Sequence, residues 1–313
     1  MALSNNPRST QTNSRARPGP TLLRPFSLPT QKASPLILWH LLSLDAPTVA
    51  VLWTWFLASV SHVRLPATSV LAMGTAVWLL YAADRLLDSR IIADQTLEEI
   101  HEQALEARHC FHHRHRRAFL VGISVASIAL AALLPSLPLA SIRLYLIEGS
   151  FLTGYFVLIH ATRSAHRLPK ELAVGPFFAA AIFIPTISRT PLLRSSLLAP
   201  AILFAALCSL NCLFIYAWEH PAATSRETAK QRAHPATRAA IHHLHGLSML
   251  LCMGAIALAS LDRRTPWPIA AAIALSITIL LAIHHYRRAI PVTTLRAAAD
   301  LALLTPLLFL GFR

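Results

Sequence analysis

From residue 35 onward the chain is a succession of apolar stretches, each about long enough to cross a bilayer. A hydrocarbon layer of about 30 Å takes roughly 20 helical residues. A segment in lipid has to satisfy its own backbone N–H and C=O groups, so single runs of this length predict helices rather than strands. Nine are predicted, at 36–60, 66–88, 118–135, 140–161, 172–188, 196–218, 240–260, 267–285 and 296–311. The predicted fold class is all-α, a polytopic membrane bundle of about nine helices occupying residues 35–313 as one domain. Composition agrees: 55% of residues are hydrophobic and 13% charged, whereas a soluble domain is nearer a quarter charged.

The basic residues give an orientation. With a cytoplasmic N-terminus, 21 of the 28 Lys and Arg fall in the tail and in the connections after helices 2, 4, 6 and 8, and 7 fall on the opposite side. That is the bias expected when positive loops stay inside. The net charge of +14 then reads as a topology signal and an attraction to anionic lipid, not as a nucleic-acid footprint. Residues 1–34 carry no acid and many Ser, Pro and Arg, which predicts a disordered, basic cytoplasmic tail; an organellar transit peptide shares that bias. The expected setting is an integral, multi-pass protein of a bacterial inner membrane. Membrane lipids are the expected surroundings, and neither nucleic acid nor an obligate protein partner is expected. Cys110, Cys208, Cys212 and Cys252 have neither disulfide-framework nor zinc spacing.

Only 14 residues are acidic, and carboxylates on membrane helices are costly enough to mark function. Asp84 and Asp88 end predicted helix 2 and Glu219 ends predicted helix 6, while Asp45 and Asp300 lie near the same membrane face. Asp84 and Asp88, four residues apart, project from one helix face. Asn211, Ile215 and Glu219 are likewise in register. Facing each other across a cavity, Asp84, Asp88, Asn211 and Glu219 would offer oxygens of the kind Mg²⁺ accepts alongside phosphate. Arg85, Arg90 and Lys170 are set at the depth needed to neutralise a diphosphate, and Tyr81, Tyr216 and Trp218 supply aromatic faces for a developing cation. The alternative for Asp84-Arg85-Asp88 is a salt-bridged helix end. For Asp300 the expected role is an ion pair with Arg296, one turn earlier. Acids between Asp94 and Glu106, spaced three and four apart, predict a short interfacial helix. The clusters His109/His112/His113/His115, His242/His243/His245 and His284/His285 are interleaved with or close to Arg and read as interfacial cationic anchors rather than chelating sites.

This layout resembles the UbiA superfamily of intramembrane prenyltransferases, in which nine helices carry one acidic motif after helix 2 and another after helix 6. Asp84 and Asp88 match the last two acids of a family motif N-D-x-x-D-x-x-x-D, and Leu168-Pro169-Lys170-Glu171 resembles the Lys-bearing start of helix 5. Leu80 and Tyr81 replace the motif's Asn and first Asp. In the second motif Ile215 stands for the first acid and Glu219 for the second. The resemblance implies transfer of a prenyl group from an allylic diphosphate to a lipophilic, aromatic acceptor. Asp84, Asp88 and Glu219 would be the catalytic residues holding Mg²⁺, and Asn211, Arg90, Lys170 and Arg85 would bind the diphosphate. The alternatives are a UbiA-like scaffold without that activity, or a transporter of small solutes or metal ions.

Overall fold

The computed structural model describes residues 35–93, 111–112, 114–161, 169–220 and 234–311. The predicted N-terminal tail and the acidic interfacial helix lie outside the described residues. The helices are α1 (Pro35–Leu41), α2 (Asp45–Val60), α3 (Ala67–Ala93), α4 (Arg116–Leu133), α5 (Leu139–Ala161) and α6 (Lys170–Arg189). They continue with α7 (Arg194–Glu219), α8 (Pro235–His242), α9 (Leu244–Leu261), α10 (Trp267–Tyr286) and α11 (Val292–Leu301), which runs into a 3₁₀ segment, Ala302–Phe309. Among the described residues there is no strand. Six helices, α3, α4, α6, α7, α9 and α10, are long and apolar enough to cross a membrane, and α1 with α2 makes a seventh if counted as one broken span. This is the make-up of a multi-pass membrane protein.

Three predicted helices are not continuous, the one at 240–260 being interrupted at His243 between α8 and α9. The first, 36–60, is broken between Leu41 and Asp45, and α1 stands at 90° to α2. Ser43 takes a left-handed φ of 60° there, and the Asp45 carboxylate accepts the N–H of Ala46 at the new helix start. The last, 296–311, changes to 3₁₀ after Leu301, around Pro306, which has no N–H to give.

Prolines inside the helices show how this chain manages polarity in lipid. In an α-helix a proline leaves the carbonyl four residues earlier without its donor. Pro176 frees Leu172, and the Ser209 hydroxyl donates to that carbonyl from α7 at 2.9 Å. Pro185 frees Ala181, which accepts from the Tyr145 hydroxyl of α5 at 3.3 Å. Pro200 frees Ser196, which accepts from Thr265 at 2.9 Å. In the 3₁₀ segment the freed carbonyl lies three residues back, at Leu303, and the Trp53 indole N–H reaches it at 2.8 Å. Each gap is closed by a side chain from another element, the condition for tolerating a broken helix in a bilayer.

Packing follows the same economy. Lipid tails are as apolar as Leu, so spans associate through close contact and small residues rather than through a hydrophobic drive. Ala50, Ala270, Ala272, Ser276, Ala297 and Ala299 are fully buried between helices. Where α6 meets α7, a Cβ on Gly175 would lie 2.1 Å from the Ala205 carbonyl oxygen. The centre of the bundle is aromatic: Trp53 and Phe204 stack with ring centroids 4.3 Å apart, both fully buried. Helix α4 stands at the edge, with Val121, Val125 and Ile128 more than 60% exposed on a lipid-type surface.

Candidate functional site: a buried ion network at the broken helix

The break between α1 and α2 brings two titratable side chains together. His40 Nδ1 lies 2.6 Å from Asp45 Oδ2, and Asp45 is fully buried. Arg85, one face inward on α3 and 4% exposed, donates from Nη2 to the same carboxylate oxygen at 3.3 Å. The Arg85 guanidinium also bonds the Tyr81 hydroxyl at 2.5 Å, one turn earlier on α3. Residues four apart share a helix face, so Tyr81 and Arg85 enter the network as a unit.

The second half comes from α7 and α11. Asn211, 5% exposed, donates from Nδ2 to Asp300 Oδ1 at 3.1 Å. Glu219 is ion-paired with Arg296 through Oε1 and Nη1. The halves meet because a ring nitrogen of His40 and carboxylate oxygens of Asp45 and Asp300 all lie within 4.8 Å of one another. Asn211 and Arg85 each sit eight residues before their helix ends, about 12 Å along the axis. The network is therefore set into the bundle, not spread over its surface.

The described atoms are not all satisfied within it. Arg85 Nη1, Asn211 Oδ1, Arg296 Nε and Asp300 Oδ2 are buried and have no hydrogen-bond partner; the other such atoms among the described residues are the hydroxyls of Thr54, Ser61, Tyr155 and Thr186. Two free acceptors and two free donors thus converge where three carboxylates meet two guanidinium groups.

Of the residues singled out from sequence, Asp45, Tyr81, Arg85, Asn211, Glu219 and Asp300 belong to this network. Asp84 is half-buried beside Arg85, on a different face of α3, and Lys170 is half-buried at the start of α6. The side chains of Asp88 and Arg90 lie outside the described residues. Asp45, for which sequence allows either a helix cap or a cavity-lining role, does both. One reading changes. The direct ion-pair partner of Arg296 is Glu219, 77 residues away, rather than its neighbour Asp300. As for Mg²⁺, an ion at Glu219 has to displace Arg296, and among the described side chains of α3 the one that reaches the network's carboxylates is the Arg85 guanidinium. The described donors do not by themselves make the predicted Mg²⁺ set. Sequence reading passed over His40; its signal is Asp45-Ala46-Pro47, a helix start inside an apolar run, with a histidine five residues before it.

His112 also turns inward. It is 1% exposed, lies 3.3 Å from the Ser43 hydroxyl at the break, and stacks on Phe119 at 4.5 Å. One member of that His-rich run is therefore a packing residue rather than a surface anchor.

Comparison with known protein families, with curated proteins and with solved structures finds no match.

Proposed function

We propose that this chain is a UbiA-like membrane enzyme with nine spans and a cytoplasmic N-terminus, transferring a prenyl group from an allylic diphosphate to a lipophilic acceptor. The supporting observation is that Arg85 and Asn211, from the two helices carrying the acidic motifs, converge on one buried polar cluster at one end of an otherwise apolar bundle. An apolar groove of about 440 Å³ lies between α2, α3 and the 3₁₀ segment, lined by Pro47, Thr48, Leu52, Trp55, Val70 and Leu307. Two of the elements that wall it, α2 and α3, also carry Asp45 and Arg85. A charged head at the network and an isoprenoid tail in such a groove suit an amphiphile. Arg85 and Arg296 are the cations on hand for a diphosphate. In the reaction the allylic C–O bond breaks, diphosphate leaves with the electron pair, and the acceptor bonds to the allylic carbon and loses a proton. Apolar walls keep water from the cation.

The test uses membranes with labelled allylic diphosphates of several chain lengths, Mg²⁺ and aromatic lipophilic acceptors. The expected outcome is labelled lipophilic product with diphosphate release, both lost in Asp84→Ala and Arg85→Ala. No product and no diphosphate release at any chain length overturns the reading. A C-terminal reporter on the non-cytoplasmic side checks the nine spans. Ion transport is the second reading. The observation favouring it is the 90° break flanked by His40 and Asp45, because broken helices build ion sites in transporters.

A further inference from the structure

We propose that His40, Asp45 and Asp300 form a binding site for one divalent first-row transition-metal ion, with the amide oxygen of Asn211 as a further donor. The site is distinct from the Asp84, Asp88 and Glu219 set and does not depend on prenyl transfer.

Four observations carry it. First, the three ligand-bearing groups come from α1, α2 and α11, yet their donor atoms lie within 4.8 Å of one another. The helix break is what makes this possible, since a continuous helix would hold His40 and Asp45 on different faces. Second, Asp300 Oδ2 and Asn211 Oδ1 are buried acceptors without a donor, and Asn211 is 5% exposed. Buried acceptors in native proteins are almost always matched, so two in one cluster point to a ligand supplying positive charge. Third, three carboxylates meet two guanidinium groups here. Asp45 is balanced by Arg85 and Glu219 by Arg296, while among the described residues Asp300 has no cationic side chain in ion-pair contact. Fourth, the donor set mixes an imidazole nitrogen with carboxylate and amide oxygens. Imidazole directs selection toward ions such as Zn²⁺ or Fe²⁺ and the carboxylates admit Mn²⁺ as well, whereas Mg²⁺ takes oxygen alone.

Arg85 does not block this. Its bond to Tyr81 holds the guanidinium as Asp45 turns toward the ion, and the His40 ring proton moves to the nitrogen the ion does not take. The nearby guanidinium groups oppose a divalent cation, so micromolar affinity is expected rather than the tight binding of a structural zinc site.

The experiment takes the full chain in detergent, treats it with chelator, and titrates it calorimetrically with Zn²⁺, Mn²⁺ and, separately, Mg²⁺. The bound metal is then counted by mass spectrometry. The expected result is one Zn²⁺ or Mn²⁺ per chain, with Mg²⁺ at least tenfold weaker. Asp300→Asn and His40→Gln each weaken binding tenfold or more, with folding checked by circular dichroism melting. Asp84→Asn keeps the ion while losing prenyl transfer, which separates this site from the enzymatic reading. His40→Gln keeps a neutral polar group, so it tests the site if Asp300→Asn does not fold. No binding at millimolar metal overturns the proposal. So does binding indifferent to both variants, which would put the ion on the exposed histidines.

Discussion

The prolines and the ion network are two solutions to the same problem, polar groups in a bilayer, and they solve it differently. At Pro176, Pro185, Pro200 and Pro306 each freed carbonyl meets one donor from a neighbouring element. At the network, two acceptors and two donors remain over after the internal bonds are made. Matched polarity is what stability alone requires. Surplus polarity is costly, and a bundle that retains it needs another reason, such as something to bind. Polar residues that meet one partner each hold the helices together, whereas at the network polarity exceeds that need.

The largest expected effect is at Asp45. Asp45→Ala leaves Arg85 buried and unpaired and strips His40 of its partner, and removing one member of a buried pair costs about 3–5 kcal/mol. Thermal unfolding in detergent should show a large fall in Tm. If the pair is mainly functional, the double variant Asp45→Leu/Arg85→Leu recovers most of that loss, because apolar replacement of a buried pair is often neutral or better. A double variant as unstable as the single one would make the network structural and dissolve the contrast with the prolines. The next effect is at Gly175, where the Ala205 carbonyl oxygen would lie 2.1 Å from an added Cβ. Gly175→Ala forces α6 and α7 apart, at a cost of about 1–3 kcal/mol, and should lower Tm with no effect on metal affinity.

A smaller effect tests the matching itself. Ser209→Ala removes the donor to Leu172 and should cost about 0.6–1.7 kcal/mol, the range of hydrogen bonds between membrane helices. In a Pro176→Ala background the Leu172 carbonyl regains its helical donor, so the same Ser209→Ala change should then cost almost nothing. A cycle measured by Tm reads this coupling directly. Equal losses in both backgrounds would mean that Ser209 works by packing, and that the one-donor-per-carbonyl rule is accidental here.

What the sequence could reveal divides along the same line. The all-helical class was legible because hydropathy and length are local properties, though among the described residues six helices, or seven with the broken pair, are long and apolar enough to span where nine were predicted. The gathering of Asp45, Asp300 and Glu219 at one end was legible too, since it follows from counting spans. The break at Leu41–Leu44 was not, because Leu-Leu-Ser-Leu keeps the apolar character of a helix while Ser43 turns to positive φ. Pairing was equally hidden. Arg296 has Asp300 one turn away, and a carboxylate on the same helix is the natural guess, but α7 brings Glu219 to the guanidinium instead. Donors to the freed carbonyls lie up to 250 residues away in sequence, so the prolines announce a gap without naming what fills it.

The smallest effect lies outside the membrane, in the turn between α9 and α10. Asp262 lies 2.7 Å from the Thr265 hydroxyl, whose one proton it shares with the Ser196 carbonyl, and accepts from the Arg264 backbone N–H at 2.9 Å. Those bonds, the Thr265 hydroxyl foremost, hold its carboxyl below the ordinary aspartate range. Hydrogen bonds to the charged form favour ionisation in the folded state. The stabilisation is therefore present above the unfolded pKa and is lost as pH falls through the folded one. Asp262→Asn should lower Tm slightly at pH 7, and the gap from the parent should close as the buffer is taken below the usual aspartate range. Asp262 is half-buried at this turn, within reach of solvent, so screening keeps the effect small and salt should shrink it further. A gap that persists at acid pH would mean that the turn needs the shape of Asp262 rather than its charge. That would place it with the prolines, as polarity matched for structure alone.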